Sequence, residues 1–238
     1  MGAAAPPSVR PARLLLLGVI LAAPAAMAAR PFVTDDARIV DPGGCQIESY
    51  VKRQRNFGER ETWFLPGCNP GGNLELTIGG TRAINSVEGK ANALVVQGKT
   101  LLRPLHTNDY GIAATIGTLR HQTFTGDSAT RWSPYINLIS SLSRLNDGLV
   151  IHANAGVIED RIAGLTRPTW GLGGEILLAP RWYGIVESYG QKSDKASQQI
   201  GLRFWAVPDR VQVDGTVGRQ RSGPPARDWI SLGVRLLF

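Results

Sequence analysis

One pattern constrains this 238-residue chain more than any other: apolar and polar residues alternate at every second position, in segment after segment, from residue 45 to the end. Between Val150 and Ile158, Ile151, Ala153, Ala155 and Val157 fall on one side, with His152 and Asn154 on the other. Ile200, Leu202 and Phe204 oppose Arg203, and Val211, Val213 and Val217 oppose Gln212, Asp214 and Thr216. Ile230, Leu232, Val234, Leu236 and Phe238 oppose Arg235. Successive side chains of a strand point to opposite faces, so each segment carries one oily face and one polar face. No helical periodicity is sustained after residue 45. The pattern predicts twelve strands, at 46–53, 60–66, 73–82, 92–103, 110–121, 132–142, 149–158, 169–179, 181–190, 198–207, 210–218 and 229–238, with ten as the runner-up.

Alternation alone fits either a soluble sandwich or a membrane barrel. Three features favour the barrel. Short turns such as Asn146-Asp147-Gly148 and Pro208-Asp209 alternate with longer polar connections at 54–59, 83–91, 122–131, 159–168, 191–197 and 219–228. That sorting is expected of periplasmic turns and outer loops. Aromatic residues sit at strand ends: Trp132, Trp170 and Trp229 at one level, Tyr110, Trp182 and Trp205 at the other, as two interfacial girdles would. Strands near ten residues suit a tilted crossing of the apolar layer. The expected fold class is therefore all-β, a transmembrane antiparallel β-barrel of about 12 strands spanning 45–238.

The N-terminus reads as a signal peptide over residues 1–28. Arg10 and Arg13 form the basic region, Leu14 to Ala23 the apolar stretch, and Ala26-Met27-Ala28 the cleavage spacing. The apolar stretch is too short to span a bilayer as a helix. Residues 29–44 (ARPFVTDDARIVDPGG) are assigned to an N-terminal periplasmic segment that lies in the lumen, caps the mouth or hangs free, with Asp35-Asp36 an exposed turn. The only cysteines, Cys45 and Cys68, fall on the same rim in an oxidising compartment, which predicts a disulfide. The formal charge of +7 comes from scattered bases with no Lys/Arg tract, so nucleic acid is not an expected partner.

The polar phase of the strands collects Glu48, Lys52, Glu75, Lys99, His152, Glu175, Glu187, Arg203, Asp214 and Arg235, which makes them the expected lumen lining. Acids and bases nearly balance, whereas a pore selecting one ion sign would show a ring of one sign. Tyr183 and Trp205 read as lumen filler. No metal, cofactor or catalytic residue is expected, and the chain is read as no enzyme. Outer-membrane phospholipases resemble it in strand number, but their His-x-Ser pair is replaced here by His152-x-Asn154.

The opening RPFVTDDARIVDPGGCQIE, the alternating strands and the closing SLGVRLLF resemble small proteobacterial outer-membrane barrels, in particular the broad family named for a phenol-degradation pathway. That resemblance implies an outer-membrane protein of a Gram-negative bacterium and a channel- or transporter-like role. The closing strand, ending on Phe238, is similar to the signature that barrel-insertion machinery recognises. The expected function is passive passage of a small solute. A structural or envelope-interaction barrel with a filled lumen is the alternative, and a lipid hydrolase a more distant one. The expected partners are outer-membrane lipid, the insertion machinery and a small solute.

Overall fold

The computed structural model describes residues 32–238, except 56–57, 87–88, 122–130, 162, 193–194 and 221–226. The signal-peptide assignment lies outside the described residues, as do most of the outer connections at 122–131 and 219–228. Twelve strands follow in order: β1 (Cys45–Gln54), β2 (Arg60–Cys68), β3 (Glu75–Asn85), β4 (Gly89–Arg103), β5 (Tyr110–His121), β6 (Arg131–Arg144), β7 (Leu149–Asp160), β8 (Leu165–Ala179), β9 (Trp182–Gln191), β10 (Ser197–Val207), β11 (Val211–Gln220) and β12 (Arg227–Leu237). Each pairs antiparallel with its sequence neighbours, and β1 pairs with β12 to close the barrel. The seam runs in unbroken register from Gln46 opposite Leu237 to Gln54 opposite Trp229. Cys45 and Phe238 exchange both backbone hydrogen bonds at its foot, at 2.7 and 3.0 Å. No strand edge is left, so the ladder hydrogen bonds are satisfied within the protein.

The two faces separate as the period of 2 requires. Ile116 (69% exposed), Leu232 (66%) and Ile200 (59%) point outward, whereas Arg203, His152 and Gln212 are fully buried inside. More than thirty large apolar side chains are exposed on the described surface. A water-soluble monomer rarely tolerates contiguous apolar patches beyond a few hundred Å². An outer surface of this kind faces hydrocarbon.

Two details differ from the sequence reading. The strands run further outward than expected, so that Asn85 still pairs with Gly89 across residues 86–88, and Asp160 with Leu165. Those outer connections are no longer than the inner ones at 69–74 and 104–109. The girdle also loses two members: Trp205 and Trp229 are 5% exposed and turn inward, Trp205 into the lumen position also expected of it, while Trp132, Trp170, Trp182 and Tyr110 are exposed on the outside. Trp205 and Trp229 stand on the same phase as Arg203 and Arg235, which fixes their side.

At the inner rim, Cys45 and Cys68 are directly opposed in the β1–β2 register and form a disulfide. The bridge ties the ends of a 23-residue separation and so restricts the unfolded chain.

Replacing Leu232 by Arg puts a charge at the middle of an outward face. The expected loss is about 2–4 kcal/mol of unfolding free energy in lipid vesicles, and denaturant titration measures it.

Candidate functional site

The interior of the barrel is built by two sets of residues: the inward phase of the strands, and an N-terminal strap, residues 32–44, that enters the barrel. Of the three placements left open for the segment, the structure shows the lumen for its described part. Thr34, Asp36, Ala37 and Val40 are buried, and the strap bonds to strands on both sides of the wall. The expectation that Asp35-Asp36 is an exposed turn is corrected. Asp36 is 3% exposed, and both carboxylates accept hydrogen bonds from Lys99 Nζ, at 2.6 Å (Asp35) and 3.2 Å (Asp36). A pair of acids next to a barrel holding a lone inward lysine on β4 is held by that lysine.

Inward carboxylates capture backbone N–H groups of the strap. Both oxygens of Glu187 on β9 accept the Val33 N–H, at 2.9 and 3.1 Å, and one also accepts the Thr34 N–H. Gln199 Nε2 on β10 donates to the same carboxylate. Glu75 on β3 accepts the Val40 N–H at 2.8 Å and the Gln46 amide at 2.9 Å. Buried donors and acceptors must find partners, and these carboxylates satisfy strap amides that no strand could reach. Two strand glycines make room. At Gly171 a Cβ would overlap the Thr34 hydroxyl, and at Gly173 it would lie 2.8 Å from the Phe32 ring. Both belong to the strand glycines whose close backbone approach the sequence allows.

Beneath the strap runs a polar chain across four strands. Ala37 donates its N–H to Ser141 Oγ (2.8 Å), which is hydrogen-bonded to His152 Nδ1 (2.8 Å). His152 Nε2 stands 3.8 Å from Glu175, whose carboxylate is ion-paired with Arg203 and lies 3.8 Å from Arg38 of the strap. The Phe32 ring meets the His152 ring edge-on, with centroids 5.3 Å apart. A serine, a histidine and a carboxylate are thus in sequence, but they are fully or almost fully buried, on the inner rather than the outer half. The serine oxygen is taken by a strap amide and Glu175 is committed to arginine. The arrangement fixes the strap, with Ser141 Oγ bonded to both Ala37 and His152. Among the described residues no His/Cys/Asp/Glu group could hold a metal ion.

The other residues expected in the lumen also fall on the inward phase. Arg235 donates to Gln46 (2.7 Å) and lies 3.6 Å from Glu48, its partner across the seam. Asp214, buried, is directly opposite Arg203 in the β10–β11 register. Lys52 lies 3.7 Å from Glu61 and nearer the outer side. Tyr183 lies beside the Arg203 guanidinium, at 6.0 Å from its ring centre. Sequence reasoning missed Ser141, Gln199 and Gln46 as members of the site, and held the strap's place in the lumen as one of three alternatives. Glu75 stands opposite Lys99 in the β3–β4 register, yet both it and Glu187 also accept backbone amides of the strap, which the strand pattern does not signal.

Between the strap and the outer strand ends lies a cavity of about 630 Å³. Its walls include Tyr50, Trp63, Tyr135, Tyr189 and Trp229, and its floor is the strap, from Phe32 to Asp36.

Residues 16–238 match the model of a family described as "Uncharacterised conserved protein UCP029691". No curated protein matches the chain. Among solved structures, the barrel is similar to the COG4313 outer membrane channel from Pseudomonas putida F1, with TM-score 0.60, 11% identity, and coverage of 85% of this chain and 98% of that one. It is also similar to the KdgM porin (TM-score 0.58, 12% identity, 81% and 99% covered) and to the NanC porin (0.57, 11%, 80% and 98%). At such identities the likeness is one of fold.

Replacing Gly173 by Val should push Phe32 off the wall while the barrel stays closed. Overpacking of this kind costs about 1–3 kcal/mol, so hydrogen exchange at the Val33, Thr34 and Ala37 amides is expected to quicken about tenfold or more. Unchanged exchange would show that the strap does not depend on that seat.

Proposed function

We propose, for a chain that belongs to the family described as Uncharacterised conserved protein UCP029691, that it is an outer-membrane channel of a Gram-negative bacterium, passing small solutes passively through a lumen narrowed by its own N-terminal strap. One observation carries the reading. A closed barrel with an apolar exterior holds a cavity of about 630 Å³, and its inner end is occupied by a strap fixed by hydrogen bonds and ion pairs rather than by covalent bonds. Passage in such a lumen is governed by size and polarity. Its inward charges are paired, across strands in Glu48–Arg235 and Glu175–Arg203 and from strand to strap in Lys99 with Asp35 and Asp36, so among the described residues no ring of one sign sorts ions.

The likeness in fold to the COG4313 channel and to the KdgM and NanC porins supports a channel over an enzyme. The resemblance to barrels named for phenol degradation points to a small solute. The expected lining residues Glu75, Lys99, His152, Glu175, Glu187, Arg203, Asp214 and Arg235 act chiefly by holding the strap and each other, with Glu48 and Lys52 nearer the open space.

A second reading has its own support. On the inner half, Arg203, His152, Gln212 and Glu175 are 0–1% exposed, as in a filled structural barrel. Planar-bilayer recording separates the two. The channel reading expects discrete conductance steps from the intact protein. Glu187→Ala, which leaves the Val33 and Thr34 amides unpaired at about 1–3 kcal/mol each, is expected to give larger or longer openings. Silence from both proteins would favour the filled barrel.

A further inference from the structure

Building on the channel reading, we propose that the cavity above the strap is a binding site for a neutral, ring-bearing molecule with hydroxyl groups, the chemistry shared by a monosaccharide and a phenol. Three observations carry it. The first is the state of the aromatic rings. Tyr50 and Trp63, from adjacent strands, are stacked with centroids 5.8 Å apart and planes 9° from parallel, and both are half-buried on the cavity wall. Tyr135 lies over Gly117, where a Cβ would come within 2.6 Å of its ring, and its hydroxyl donates to Gln97 at 2.6 Å. Rings pressed against the wall line a cavity without filling it, and they present π faces to whatever enters.

The second observation is the polar part of the lining. Beside these rings stand the amides of Gln97 and Asn137, a group type that both donates and accepts, as hydroxyl groups require. The third is charge. Lys99 is held by Asp35 and Asp36, Arg235 lies by Glu48, Lys52 lies by Glu61, and Arg38 lies 3.8 Å from Glu175. A solute carrying a charge would have to break one of these pairs, whereas a neutral ring needs none of them. The volume, about 630 Å³, is within the range of sites for small molecules.

The test uses the full-length barrel in detergent, with phenol and methyl glucoside as probes, sorbitol as a ringless polyol and benzoate as a charged ring. Binding is read by tryptophan fluorescence and calorimetry, and folding of each variant by heat-modifiable gel mobility. Saturable binding of phenol or of methyl glucoside is expected, with sorbitol and benzoate much weaker. Which of the two binds distinguishes an aromatic source from a carbohydrate source. Trp63→Leu, which removes a ring face, and Gly117→Val, which drives Tyr135 into the cavity, are each expected to weaken binding about five- to tenfold. Trp182→Leu, on the outer surface, is expected to leave it unchanged. Absence of saturable binding by either ring probe overturns the site, as does equal binding of sorbitol or benzoate, or indifference to both cavity variants. Conductance without binding overturns this site alone, and binding without conductance overturns the channel reading alone.

Discussion

Closure is the constraint on which everything else rests. In hydrocarbon an unpaired peptide group costs several kcal/mol, so a sheet can cross only if its first and last strands find each other. Here the seam between β1 and β12 is paired along its whole length, and Cys45 and Phe238 complete it. Once the ring is closed, the period of 2 has only two destinations. The outward phase meets lipid, and the inward phase, with the buried charges of the strands, is shut inside, which turns a surface pattern into an interior chemistry.

That interior has a problem a soluble core avoids. It is rich in carboxylates, bases and amides, and each must be satisfied away from bulk water. Cross-strand ion pairs solve part of it, notably Glu175 with Arg203 and Glu48 with Arg235. The remainder is solved by importing a piece of backbone. Glu187 and Glu75 accept amides from the strap, and Lys99 receives its two aspartates. The strap is thus part of the charge balance of the wall, and it forms the floor of the cavity above it.

Much of the fold was legible. Twelve strands and their faces follow from residues such as Ile200, Leu202 and Arg203, because period 2 has a single structural meaning. The inward placement of Glu175 and Arg235 follows from the same phase. The strap was not legible to that degree. Residues 32–44 have no periodicity, and their position is set by partners more than 100 residues away, as between Val33 and Glu187. Trp229 shows the limit from the other side. Its place near a strand end suggested the membrane interface, but its phase sends it inward, and phase prevails over position because a strand cannot turn one side chain without turning all. Two outer connections were read as too long because residues 83–85 and 159–160 continue the ladder beyond the strand ends that the alternation marked.

The strap touches strands from opposite arcs of the ring: β3 and β4 through Glu75 and Lys99, β6 through Ser141, β8 and β9 through Glu175 and Glu187. No partly assembled sheet brings those groups to their final spacing. A half-built barrel therefore offers the N-terminal residues only part of their seat, and the full set of partners exists only when the circle is complete.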